Sequence, residues 1–320
     1  MEDASNGTGQ HRYVFLVRHG KSRWNLAQEW YSPWGMYSEN DHPLCQEGRV
    51  QAESLRAEAK ACAADDELGQ LSSGKLDLLK KFLEPSVIFT SPLTRAVQTA
   101  CIALQDLLLK VGKLKVVKDA REQRNFGSAD CTGVAVGAEI KRRAEEQLSD
   151  LYDAADEKDA ARLEEVKKAS DKVEWDVSDV EQEWWLNHSE DEATVGQRID
   201  ILMDEIRRLP NGESAIIVTH SQLIRCFFKR YADISRLKPN LEASLESSLV
   251  PYCAVIGCRL EWDGEDARPR LSSSVQVLGP TIQTNPSDSY LEHVFAGCCS
   301  GRRHKPAWET GPLDLDPPPN

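Results

Sequence analysis

Four short apolar runs punctuate the chain, and each leads into polar residues. Tyr13–Val17 (YVFLV) meets Arg18-His19-Gly20, and Ser86–Thr90 (SVIFT) meets Ser91-Pro92-Leu93-Thr94-Arg95. Leu114–Val117 (LKVV) leads to Asp119-Ala120-Arg121-Glu122, and Ala215–Val218 (AIIV) meets Thr219-His220. Runs of this length rich in β-branched residues read as buried strands. Between them apolar residues recur at three- and four-residue spacing: Val97, Cys101, Leu104 and Leu108, then Val195, Ile199, Leu202, Ile206 and Leu209. Strands alternating with helices predict an α/β fold with a largely parallel sheet. Two later stretches, Pro251–Trp262 and Ser272–Leu278, read as strands extending the sheet at an edge.

The rest of the pattern sets expected boundaries. Residues 1–12 are polar and read as a flexible N-terminus without the apolar core of a secretory signal. A catalytic domain is expected over 13–280. Within it, 132–182 is rich in Glu, Asp, Lys and Ala and carries one apolar stripe (Ile140, Ala144, Leu148, Leu151), so it reads as a helical insertion, either a solvated excursion or a cap over a pocket. Residues 281–320, ending Pro317-Pro318-Pro319-Asn320, read as an irregular, partly disordered tail.

In open α/β sheets ligands bind beyond the carboxyl ends of the strands. If the four strands are parallel neighbours, Arg18, His19, Ser91, Arg95, Glu122 and His220 meet on one edge. Those residue types suit a phosphate ester. The guanidinium fork matches phosphate oxygens with paired hydrogen bonds. A histidine flanked by arginines resists protonation, because like charges about 4 Å apart repel by roughly 4 kcal/mol at an effective dielectric near 20. The neutral imidazole is then a nucleophile, and a nearby carboxylic acid can protonate a departing alkoxide. The arginines supply the charge stabilisation, so neither metal nor cofactor is called for. The other histidines, His11, His42, His188, His293 and His304, show no metal-ligand spacing and read as structural or exposed.

Composition narrows the partners. Lys and Arg number 39 against 52 Asp and Glu, a net charge of −13. That argues against a general nucleic-acid binder, and no apolar run approaches a membrane span. Nine cysteines, none in a C-x-x-C spacing, read as reduced thiols of a cytoplasmic protein. The expected partner is a small phosphorylated substrate, with a phosphoprotein open as well. Oligomeric state is not legible.

VFLVRHGKSRWN (Val14–Asn25) resembles the histidine phosphatase superfamily, which includes phosphoglycerate mutases and related phosphatases. HPLCQEGRVQAESL (His42–Leu55), SPLTRAVQTA (Ser91–Ala100), REQRNFGSADCTG (Arg121–Gly133) and EDEATVGQRIDILMDEI followed by VTHSQLIR (to Arg225) resemble its further blocks, in family order. The resemblance implies a three-layer α/β/α fold in which an inserted helical cap covers the substrate. It implies that His19 is the phosphorylated nucleophile, that Arg18, Arg95 and His220 hold the phosphoryl group, that Asn25 contacts the phosphate, and that Glu122 is the proton donor. Three positions depart from the family pattern. Lys21 stands where many members carry an acidic or amide residue and is expected to point to solvent. Ser221-Gln222 replaces glycines after the second histidine. The loop after Glu122 lacks the typical mutase stretch and leaves Asp130 as a second donor candidate. The expected activity is phosphatase, with a phosphoglycerate mutase-type transferase, or a weakly active binding scaffold, as alternatives.

Overall fold

A computed structural model of the chain describes residues 10–64, 73–125, 129–231, 250–264 and 268–279. The expected tail, Cys298, Cys299, His293 and His304 lie outside these residues. Seven strands form one sheet: β1 (Gln10–Arg18), β2 (Val87–Thr90), β3 (Lys113–Val116), β4 (Glu174–Asp176), β5 (Ser214–Thr219), β6 (Val255–Trp262) and β7 (Arg270–Leu278). Their order is β4-β3-β2-β5-β1-β6-β7. All neighbours from β4 to β1 pair in parallel, while β6 runs antiparallel to β1 and β7 to β6. The four apolar runs are therefore parallel neighbours, and the two late strands extend the sheet at one edge.

The sheet divides two cores. In β1, Tyr13, Phe15 and Val17 face α3 (Gln46–Ala64), α4 (Ser73–Leu83), α5 (Thr94–Ala103), α6 (Gln105–Val111), α7 (Glu139–Leu148) and α8 (Glu157–Lys172). Val14 and Leu16 face α9 (Glu192–Arg207) and α10 (Ser221–Tyr231). A strand covered on both sides needs apolar residues at every position, and all six residues of β5 are buried. The single stripe from Val97 to Leu108 breaks into α5 and α6 at Leu104, yet both halves stay on one core.

One boundary differs from the sequence reading. β1 begins at Gln10, inside the stretch expected to be flexible. Arg12 is buried there, donating from Nε to the Leu209 carbonyl at 2.6 Å and from Nη2 to the Arg207 carbonyl at 2.8 Å, so a cation closes the last turn of α9. The 132–182 stretch is largely helical, and Ile140, Ala144, Leu148 and Leu151 join the main core. Its chain then returns to the sheet as β4, which has no apolar run to announce it. The aromatic segment after the first motif folds as α1 (Arg23–Glu29) and α2 (Pro33–Met36). Trp24 packs edge-on against Tyr37 and His42, and Trp30, Tyr31, Trp34 and the outer side of Tyr37 are exposed, Trp34 by 90 %.

Candidate active site

The parallel register brings the two motif histidines together. Arg18 pairs with Thr219 across β1 and β5, and the His19 N–H donates to the Thr219 carbonyl at 2.9 Å, so His19 and His220 each follow the last paired position. Their ring centroids lie 4.9 Å apart, and both residues are buried. Nδ1 of His19 is 2.6 Å from the Gly20 carbonyl. A carbonyl only accepts, so Nδ1 carries the hydrogen and Nε2 keeps a free lone pair. Burial first, then the charges of Arg95 and Arg18, hold the His19 pKa well below its usual 6.5, against the opposing Gly20 hydrogen bond. His220 is lowered in the same way by burial, Arg95, His19 and Arg18.

Each arginine is held by its own device. Nη1 of Arg18 donates to the Val250 carbonyl, and its guanidinium carbon lies 3.8 Å from the centre of the Tyr252 ring. Arg95 sits in the first turn of α5, whose preceding residue Leu93 makes no side-chain cap. Asp41 supplies the cap from a distant segment, accepting from the Thr94 N–H at 2.8 Å and the Thr94 hydroxyl at 2.7 Å. Arg95 donates to the Asp130 carbonyl at 2.8 Å and to its carboxylate at 3.3 Å. Two buried nitrogens in this site lack a partner among the described residues, Nε of Arg18, which can only donate, and Nδ1 of His220, whose role depends on its tautomer. A buried donor left unpaired costs about 1–3 kcal/mol, and an anionic oxygen would satisfy the Arg18 Nε–H.

Glu122 reaches the same place from the loop after β3. Its carboxyl accepts from the Gln123 N–H at 2.9 Å, and the backbone of Gln222, in the first turn of α10, also donates to it. Burial raises its pKa above the usual carboxylate range, and the neighbouring Asp130 adds to this, against the pull of those N–H groups and Arg95. The loop is anchored from behind by buried Glu190, which accepts from Nη2 of Arg121 at 2.9 Å and from Nη2 of Arg198 at 3.2 Å. Arg198 also donates to the carbonyls of Asp119 and Arg121, and Thr219 to that of Ala120 at 2.7 Å.

Arg18, His19, Arg95, Glu122, His220 and Asp130 thus converge. Asn25 is held differently. Its carboxamide oxygen accepts from the Ser22 N–H at 3.1 Å and hydroxyl at 2.9 Å, closing the capping box of α1. That leaves only its N–H donors for an anion. Lys21 does not point to solvent. It is buried, pairs with Glu29 at 2.5 Å and Glu47 at 2.7 Å, and has its pKa raised by them against burial. Sequence reading misses the structural roles of Asp41, Glu190, Arg198 and Tyr252. Tyr252 gives no signal, lying in a turn with no motif around it. The second sequence block explains itself here. Gly48 lies so close to the Arg-His-Gly loop that a Cβ on it would stand 2.0 Å from the Lys21 carbonyl oxygen.

The two histidines also couple stability to acidity. An unfolded histidine takes up a proton near pH 6.5, while these resist it until well below. Below pH 6.5 the unfolded state binds more protons, so stability falls with pH, approaching about 1.4 kcal/mol per pH unit for each ring. Urea unfolding between pH 7.5 and 5.5 should show His220→Gln losing one ring's share of that slope. An unchanged slope would contradict the burial of a neutral ring.

Comparison with protein families matches residues 14–174 to the histidine phosphatase superfamily, branch 1. The chain belongs to this family. Members are phosphatases or mutases. The match ends before β5, so the place of His220 rests on the register alone. No curated protein matches the chain. Among solved structures, a phosphoglycerate mutase from Bacillus anthracis is similar at 18 % identity and a TM-score of 0.43, over 83 % of this chain and 93 % of that one. A mycobacterial glucosyl-3-phosphoglycerate phosphatase is similar at 17 % and 0.41, over 82 % and 97 %. A phosphoserine phosphatase mutant from Entamoeba histolytica, in complex with phosphoserine, is similar at 14 % and 0.40, over 82 % and 96 %. No helix among the described residues is long and apolar enough to cross a membrane.

Proposed function

We propose that the protein is a metal-independent phosphomonoester hydrolase acting on small phosphorylated substrates through a phosphohistidine at His19. The observation that carries this reading is the His19 ring, with Nδ1 tied to the Gly20 carbonyl, set beside His220 and buried where Arg95 and Arg18 disfavour its protonation. The substrate phosphate binds between the two guanidinium groups and His220, with the N–H donors of Asn25 at its edge. Nε2 of His19 attacks phosphorus in line, and the bond to the ester oxygen breaks. Glu122 in its protonated form, which burial favours, gives its proton to that oxygen and releases the alcohol. Water then attacks the phosphohistidine and gives a proton to the Glu122 carboxylate, which frees inorganic phosphate and restores both groups. Asp130 is the weaker donor candidate because its carboxylate is engaged by Arg95.

The reading is tested by phosphate release from a panel of phosphomonoesters in the presence of a chelator, with phosphohistidine trapped by acid-free quenching. Turnover with label on His19 supports it. Isomerisation of 3-phosphoglycerate with bisphosphoglycerate, without net hydrolysis, would replace it by the mutase reading.

The pH profile follows from the two shifts. His19 must be neutral, so kcat/KM rises with pH through its lowered pKa. Glu122 must be protonated, so kcat/KM falls as pH rises through its raised pKa. A bell-shaped profile is expected in stopped assays between pH 4 and 9. A profile that climbs steadily to alkaline pH would remove Glu122 as the acid.

A further inference from the structure

Ser91 is a fully buried hydroxyl at the centre of the site, and neither the attack nor the hydrolysis step uses it. It follows β2, whose Thr90 pairs with Val218 of β5, so Ser91 lies one register step short of His220 on the adjoining strand. Its Oγ is 2.8 Å from Nε2 of His220. The other hydrogen bond to that oxygen comes from the Leu93 N–H at 3.3 Å, which the oxygen accepts.

A hydroxyl has one hydrogen to give and two lone pairs. One lone pair of Ser91 is taken by Leu93. Among the described residues the only acceptor within reach of its hydrogen is Nε2 of His220. If Nε2 carried a hydrogen and donated, a buried hydroxyl hydrogen would be stranded, and Nδ1 would turn a bare lone pair toward incoming phosphate oxygens. If Ser91 donates, both defects vanish. Nε2 accepts, and the ring's single hydrogen sits on Nδ1, the atom that is buried without a protein partner. Burial and the adjoining Arg95, His19 and Arg18 keep the ring neutral, so there is only one hydrogen to place.

We propose that Ser91 is a positioning residue that fixes His220 as the Nδ1–H tautomer, so that this ring presents a donor to the phosphoryl group while His19, its own Nδ1 held by Gly20, presents a lone pair. Two neighbouring imidazoles thereby serve as donor and nucleophile through one hydroxyl and one carbonyl. The phosphoryl contact rests on the hydrolase reading; the tautomer does not.

Long-range proton–nitrogen spectra of protein labelled with nitrogen-15 histidine, recorded near pH 7.5, read each ring's tautomer. The His220→Gln spectrum assigns the signal. His220 is expected as Nδ1–H in the wild type and as a mixture of both tautomers in Ser91→Ala, with kcat/KM lowered roughly ten- to a hundredfold by the loss of an oriented donor to an anion. Ser91→Thr, which keeps the hydroxyl, should restore both readouts. An Nε2–H ring in the wild type overturns the proposal. So does a Ser91→Ala protein whose His220 tautomer is unchanged, whatever its activity. The expected tautomers in a protein that hydrolyses no phosphomonoester would uphold the serine–imidazole assignment and remove the hydrolase reading and its phosphoryl contact.

Discussion

His19→Ala is expected to lower phosphate release by about ten-thousandfold or more, because it removes the atom that forms the covalent intermediate rather than one that assists it. The arginines remain, so the variant should still bind vanadate or inorganic phosphate. Loss of turnover with binding retained separates a missing nucleophile from a collapsed site. The wild type incubated with a labelled phosphomonoester should carry acid-labile, base-stable label, and the variant none. Near wild-type turnover, or equal labelling, would place the nucleophile elsewhere and remove the functional reading built on the Arg18-His19-Gly20 loop. Thermal unfolding is the control, since His19 is buried and its truncation leaves a cavity.

Glu122→Gln is the second large effect, and its size should depend on the substrate. An alkyl phosphate releases a strongly basic oxygen that needs a proton as the bond breaks, so kcat/KM should fall about a hundred- to ten-thousandfold. p-Nitrophenyl phosphate releases a stable phenolate and should lose far less at the same step. Glutamine keeps the shape and cannot donate an acidic proton, so the alkaline limb of the pH profile should disappear as well. Asp130→Asn should leave the dependence on leaving group unchanged, since that carboxylate is paired with Arg95. Equal losses on both substrates in Glu122→Gln would show that the residue acts by binding, and a leaving-group dependence that appears only in Asp130→Asn would transfer the role to Asp130.

What is legible in the chain, and what is not, follows from the range of each signal. The strands Tyr13–Val17 and Ala215–Val218 announce themselves because a central parallel strand is apolar at every position, a property written in adjacent letters. β4 has three residues, Glu174, Trp175 and Asp176, none of them fully buried, and pairs only at the edge, so nothing local marks it. Gln10 and His11 read as terminus because their polarity hides a strand whose start is secured by Arg12 reaching across to α9. At the site, the convergence of His19, His220 and Arg95 is legible once the runs are taken as parallel neighbours, since register places residues after strand ends side by side. The supports are not. Asp41 capping α5, Glu190 between Arg121 and Arg198, and Tyr252 beneath Arg18 are ordinary residues whose value arises from partners such as Thr94, Arg121 and Arg18, tens to hundreds of positions away. The burial of Lys21 is hidden for the same reason: Glu29 and Glu47 come from two different helices.

The place of β5 has a consequence for how the chain is made. It lies between β1 and β2, yet in chain order it is the last of the parallel strands. A nascent chain that has not reached Ser214 holds the partial sheet β4-β3-β2 and the lone strand β1, since β6 and β7 come later still, and the facing edges of β2 and β1 have no partner between them. Unpaired apolar edges are templates for association with other chains. Ribosomal pausing or truncation before that point should therefore yield insoluble, inactive protein, and a separately supplied peptide covering β5 and α10 is the piece with which to attempt rescue.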